Sequence, residues 1–550
     1  HLIQSNTAPP QPGGDFIIKG SLNMVTRRDF LAGSAAVIGF GALPSLSQAA
    51  TVEDFVNGLI EGQTPKMGGT LTYGNPVPNW ALGQSDRGQH PYYFMDIQTR
   101  SIWNALTWVD ENLEVRPELA VSYETNEDAT VWDYTLREGV MFHNGKEFTS
   151  EDAVASCRLH AHPDLGGVGF FKQYIDRVEV NGKYGIRFFL TRPNIEFPYA
   201  TAEYRAQMLP ALENLEDMGY DGIGTGPFKL IEIDNKRQFR SVRHEDYWMP
   251  GRPYLDELIG VLAQGSNAIN GFRAGQFDMI LNADPGQFGQ FREAGGVVQN
   301  APSGDQFWLV LPKNMNLPWN DVRVRKAMSL AIDRKAVNTI VYADPDGWTG
   351  NDTHMNGVNK EFLPRPVERD VTEAKRLLAE AGYPNGIELP AVFYCPTYPE
   401  EPRLWAVVGE SMKEAGITLQ FTERPCDGFN PFVNAVNKPI GRPRRNLVGA
   451  RNPNINLSRA SNLNRAEPGG WAGEGFERYN TLLAIAAAEV DDAKRLSIYH
   501  EMQRIAQDEV PGIMIGGRRT NLVHREGIHN LRPATQLWQS PRYETVWKDA

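Results

Sequence analysis

The chain has 550 residues, 41% hydrophobic and 22% charged. That is too long for one core and too ordinary in composition for a disordered or fibrous protein, so two or three packed domains are expected. Lys plus Arg number 55 against 67 Asp plus Glu, a formal net charge of −12, which excludes a chain-wide polyphosphate-binding surface while leaving room for a local basic patch. The composition also excludes a membrane-spanning bundle, and Cys157, Cys395 and Cys426 allow at most one disulfide, with no Cys-x-x-Cys spacing for zinc or redox chemistry.

Residues 1–23 carry Pro9, Pro10, Pro12, Gly13 and Gly14 without a sustained apolar period and are read as an unstructured extension or a start-site artefact. From Met24 the chain runs through Arg27-Arg28-Asp29-Phe30-Leu31, a weakly apolar Ala/Gly-rich stretch to Leu43, Pro44, and Ser47-Gln48-Ala49. This resembles a twin-arginine export signal over 24–49 with a small-x-small cleavage site. Its apolar stretch is too short to span a bilayer. The expected mature chain starts near Ala50, outside the cytoplasm, and loses three basic and two acidic residues, which leaves a charge of −13.

Beyond it, Gly68-Gly69-Thr70-Leu71-Thr72-Tyr73 reads as a turn entering a strand, followed by a loop with Trp80, Tyr92 and Tyr93. Trp132, Tyr134 and Leu136 alternate with Val131, Asp133 and Thr135, the mark of a half-buried strand, and 186–190 reads as another. Thr149, with Asp152 three residues on, opens a helix to about Leu159. Val324, Ala327, Met328, Ala331 and Ile332 lie on one helix face. Asp370 caps a helix whose stripe is Ala374, Leu377, Leu378 and Ala381, closed by Gly382. Leu404, Val408 and Met412 form another, stopped at Gly416, and one long helix is expected from Phe476 to Glu509.

Several segments in order carry a resemblance. They are Ile102-Trp103-Asn104-Ala105-Leu106, Arg116-Pro117-Glu118-Leu119-Ala120, Trp132 to Val140, Phe142-His143-Asn144-Gly145 with Phe148 to Val154, Gly224-Thr225-Gly226-Pro227-Phe228, Val322 to Ala327 with Ala331 to Arg334, and Glu373 to Leu378 with Ala381-Gly382-Tyr383. Together they resemble the extracellular solute-binding proteins of family 5, the oligopeptide/dipeptide-binding-like components of ABC importers. The resemblance implies an α/β, bilobal, Venus-flytrap periplasmic-binding-protein fold of the large type. By analogy lobe I comprises 50–302 with an inserted subdomain at about 105–219, lobe II comprises 303–514, and 515–550 return to lobe I. Ligand is then held between the lobes by hinge closure and delivered to the permease. The implied partners are a small-molecule ligand and the importer's permease subunits; nucleic acid is not expected, the membrane is met only through the permease, and the chain is expected to be a monomer with no cofactor, no metal and no catalytic residue. Most matched motifs are expected to be structural: Gly145 in a turn, Arg137 and Asp152 capping or pairing.

In peptide-binding relatives an aspartate in the second lobe holds the ligand's amino group. The matching segment here reads Arg442-Pro443-Arg444-Arg445-Asn446-Leu447-Val448-Gly449-Ala450-Arg451-Asn452, without the aspartate, and 441–465 hold six arginines and no acid. Arginine's planar fork suits carboxylate or phosphate and repels ammonium. The expectation is a small peptide-like or anionic solute, such as an opine or sugar-acid conjugate; the alternative is an exposed loop whose arginines offset lobe charge. The arginine for a peptide carboxylate is also missing from Cys395-Pro396-Thr397-Tyr398-Pro399. Arg445, Asn446, Gly449, Arg451 and Asn452 are thus candidate ligand residues, with Trp80, Tyr92, Tyr93, Tyr398 and Trp308 of Gln306-Phe307-Trp308 as aromatic walls, and Asp305 as a hinge or ligand residue.

An enzyme is the main competing class, with a ligand sensor or chaperone on the same fold as a third. The chain has no Gly-x-Ser-x-Gly, Walker or His-Glu-x-x-His motif. Gly222-Ile223-Gly224-Thr225-Gly226 mimics a glycine loop, but a strand is expected after it where a dinucleotide site needs a helix. His160 and His162 beside Asp164 make at most a weak metal pair and are read as surface histidines.

Overall fold

The computed structural model describes residues 52–75, 99–165, 169–219, 221–234, 237–311, 317–355, 357–394, 398–423, 442–446, 453–454, 456–458, 471, 473–533 and 541–549. The signal-like segment, the loop with Trp80, Tyr92 and Tyr93, Cys395 and Cys426 all lie outside them.

The chain folds as mixed α/β around one eight-stranded sheet. Its strand order is Arg442–Asn446, Gly296–Val310, Gly512–Arg525, Met279–Leu281, Thr70–Asn75, Glu257–Leu262, Gln238–Arg243 and Phe228–Asp234. Thr70–Asn75 runs parallel to both its neighbours; the other pairings are antiparallel. Gly68 and Gly69 precede that first strand at positive φ, a conformation open to glycine. Strands 296–310 and 512–525 are long and paired along most of their length, with bulges at Pro302/Gln306 and Phe307/Trp308. Bulges re-aim side chains, and here they bend the strands where several functional candidates meet.

A separate antiparallel sheet pairs Ala120–Thr125, Val131–Leu136, Gly185–Leu190 and Ile175–Val180. Val131–Leu136 has the expected face, with Trp132, Tyr134 and Leu136 buried. Against it packs the helix Ser150–Ala161. Asp152 Oδ2 accepts from the Thr149 amide (3.0 Å) and hydroxyl (3.2 Å), which fixes the helix start. The helices Val322–Ala331, Val371–Glu380 and Glu401–Lys413 bury the expected stripes in the main core, and Asp370 caps the second through Glu373 N at 2.8 Å.

Two expectations fail. The long helix is two, Glu474–Ala488 and Asp492–Glu509. Asp491 accepts from Lys494 N at 2.9 Å and so starts a new helix, although the apolar period runs on across the break. His160 is fully buried, not on the surface. Its Nε2 lies 2.7 Å from Gln207 O, whereas His162 Nδ1 accepts from the amides of Asp164 and Leu165. The two imidazoles are committed to different backbone partners, and no group of three or more potential metal ligands occurs among the described residues.

The matched motifs behave as scaffold. A Cβ on Gly224 or Gly226 would come within 2.0 Å or 2.7 Å of Ile102 O, so both glycines serve close backbone approach. His143 and His244 pack edge to face at 4.8 Å and both meet Gly226 O; burial depresses His143 to about 3 and keeps the ring neutral. The strand Phe228–Asp234 follows directly, as expected for a segment that is no dinucleotide loop. Arg137 lies 4.4 Å over the Trp248 ring, and Gly145 turns at φ 82°.

Candidate functional site

Three segments singled out from the sequence converge on the bulged strand pair. Antiparallel pairing sets Arg445 opposite Phe307 and Asn446 opposite Gln306, while Gln306 also pairs with Gly517 of the returning strand. Tyr398 comes to the same place from the loop before helix Glu401–Lys413, because Arg518, next to Gly517, lies 4.0 Å over its ring. Side chains alternate along a strand, so the junction has two faces with different chemistry.

On one face the Arg518 guanidinium, 1% exposed, donates to Glu400 Oε1, also 1% exposed, and reaches Asn282 Oδ1 at 3.4 Å. Its own carbonyl accepts from Ser303 Oγ at 2.6 Å. Tyr398 is buried, its amide donating to Glu401 Oε1 at 3.1 Å. The aromatic face, the carboxylate and the asparagine fix the guanidinium in one plane, the arrangement for which arginine's rigid fork is suited. Phe307 packs edge to face with Trp405 nearby, sealing this side against the main core.

On the other face, a Cβ on Gly517 would stand 2.2 Å from Trp348 Nε1 and Cε2; the glycine makes room for the indole. The Trp348 segment is held by Asn338 Nδ2, which donates to Gly347 O at 2.6 Å, and by a bridge from Thr349 to Gly516. The indole is part exposed and meets Phe362 at 5.9 Å. Arg519 belongs to this face, bonded to Asp344 Oδ2 at 2.7 Å and Asn300 O at 2.6 Å.

Of the sequence candidates, Tyr398 is placed in full. Asp305, Trp308, Arg445 and Asn446 are placed by backbone only, in paired strands at the junction. Trp80, Tyr92, Tyr93, Gly449, Arg451 and Asn452 lie outside the described residues. Sequence reasoning missed Arg518, Glu400 and Trp348. A signal was there: the apolar run Ile513-Met514-Ile515 leads straight into Gly516-Gly517-Arg518-Arg519, and arginines that continue an apolar strand call for buried partners.

Residues 114–437, more than half the chain, match the family described as bacterial extracellular solute-binding proteins, family 5. The chain belongs to this family. Heme-binding protein A of Haemophilus influenzae is 29% identical over 505 residues, covering 81% of this chain and 86% of that protein. Di/tripeptide-binding protein 1 of Pseudomonas aeruginosa is 22% identical, covering 80% and 87%. The solved structure of the binding protein AgaA from A. tumefaciens R10 in complex with agropinic acid superposes with a TM-score of 0.74 at 20% identity, covering 88% of this chain and 99% of that one. The fold is therefore the bilobal periplasmic-binding-protein type. Family 5 proteins are periplasmic, bind small solutes and deliver them to ABC permeases, and the relatives are binding proteins, not enzymes. Heme, peptides and agropinic acid across three relatives show that a family 5 fold does not by itself choose a ligand.

Proposed function

We propose that this family 5 chain binds a small peptide-like or anionic solute outside the cytoplasm with high affinity and hands it to a permease by hinge closure. The observation that carries this reading is the convergence of the Tyr398 loop, the Gln306–Trp308 segment and the Arg445–Asn446 strand at the bulged pair. The division proposed is lobe I from 50–302 plus 515–550, with a subdomain at 105–219, and lobe II from 303–514; the long strands 296–310 and 512–525 then cross between the lobes as the hinge. Besides the bonds at the strand junction, Ile195 N donates to Ala487 O at 3.0 Å and Tyr499 OH to Glu196 Oε2 at 2.9 Å across that division. They support a closing edge remote in sequence from the hinge. Export is by the twin-arginine route, with 24–49 as the signal.

Arg445 of the arginine-rich strand and Arg451 beyond it supply the anion preference in this reading. A thermal-shift panel of opines, sugar acids, oligosaccharides and peptides tests it. A true ligand at 100 times its dissociation constant stabilises the fold by about 2.7 kcal/mol, and Arg445→Ala or Arg451→Ala weakens an anionic one. Binding confined to neutral or cationic solutes would refute the anionic part.

A further inference from the structure

Gln306 is fully buried, yet neither its side-chain oxygen nor its side-chain nitrogen meets a protein partner. A buried amide with both ends unmatched costs stability, and such groups are rare in native folds. Its position shows what it faces. Directly opposed residues of an antiparallel pair project to the same face, with Cβ atoms about 5 Å apart. Gln306 opposes Gly517, and the face of Gly517 is the one covered by the Trp348 indole. The unmatched amide thus lies beside a part-exposed aromatic plane, with the Arg519–Asp344 pair two residues on from Gly517 along the neighbouring strand.

We infer that Gln306 and Trp348 form a specificity subsite that reads a planar group carrying an adjacent donor and acceptor: a primary carboxamide or a lactam. The inference rests on the solute-binding function proposed above. A side-chain amide offers one acceptor oxygen and two donor hydrogens in a plane. A carboxylate satisfies the Gln306 nitrogen but sets oxygen against oxygen at the other end. A trans peptide amide points its N–H and C=O in opposite directions and meets one end only. A primary amide or a cis-amide ring meets both, and its flat face rests on the indole. This group is a second recognition element, separate from any anionic group held by the arginine-rich strand.

The test is isothermal titration of the full chain with matched solutes: glycyl-glutamine against glycyl-glutamate, and pyroglutamyl-glycine as the ring form. The amide and lactam forms are expected to bind roughly ten- to hundredfold tighter than the acid, the penalty for leaving a buried polar end unmatched. Gln306→Met is expected to abolish the preference, and Trp348→Ala to weaken all three. The wild-type comparison needs no variant, so a misfolded variant leaves the test intact. Equal binding of amide and acid, or a preference that survives Gln306→Met, overturns the subsite alone. Binding of none of the three also overturns it; solute-dependent ATPase stimulation of the cognate permease by some other compound then shows that the general function stands.

Discussion

Replacing Glu196 with Gln is expected to remove one identifiable component of the pH dependence of stability. Glu196 follows the four-stranded sheet, accepts from Tyr499 OH at 2.9 Å and lies 3.6 Å from Arg495 Nε. Burial raises its pKa from 4.5 to about 7, against the opposing pull of Arg495 and Tyr499, with Glu361 adding to the rise. The folded state therefore holds this proton more tightly than the unfolded state does. Below about pH 4.5 both states are protonated and Glu196 contributes nothing; between 4.5 and 7 the unfolded state releases its proton first, so stability falls as pH rises; above 7 a constant penalty remains. That penalty is about 3 kcal/mol. Urea unfolding of wild type and variant from pH 4.5 to 8 measures it, and the difference between the two curves isolates Glu196 from neighbours such as Glu361, which burial also raises. The variant is expected to gain on the wild type as pH climbs. Parallel curves, or a difference of opposite sign, would refute the assigned burial.

Arg518→Ala or Glu400→Ala alone strands a buried charge and is expected to destabilise the fold by about 3–5 kcal/mol, whereas replacing both with apolar residues of similar size costs much less; denaturant midpoints of the three variants check this, and additive losses would show that the two do not act as a pair. Cys157 is buried, and burial pushes its thiol well above the ordinary value. It is expected to resist iodoacetamide at pH 8 in the native protein and to react in denaturant, as mass spectrometry of the labelled peptide reports.

Local features were the legible ones. The helix Val371–Glu380 was readable because its cap, stripe and closing glycine all lie within a dozen residues, and Val131–Leu136 because strand alternation repeats every second residue. The break before Asp492 was missed because apolar spacing outweighed a capping signal that was present in Asp491. The junction was harder for a different reason: Arg518 and Glu400 are 118 residues apart, and Tyr499 and Glu196 are 303 apart. No periodicity encodes such pairings; the first exists only once strands 296–310 and 512–525 have found their register. His160 shows the same limit, since the approach of Gln207 O, 47 residues away, gives the buried imidazole a polar partner. Tyr398 was found by position within the family pattern, but its function as the platform for Arg518 came from the fold.

Delivery of a bound solute to an importer is the function on which the proposed reading of this chain stands. ATPase activity of the cognate permease in proteoliposomes tests it directly, with this chain added either emptied by unfolding and refolding or loaded with a solute identified by thermal shift. The loaded protein is expected to stimulate hydrolysis well above the emptied one, with the solute recovered unchanged. Equal activity in both states, or recovery of a chemically altered solute, would contradict it.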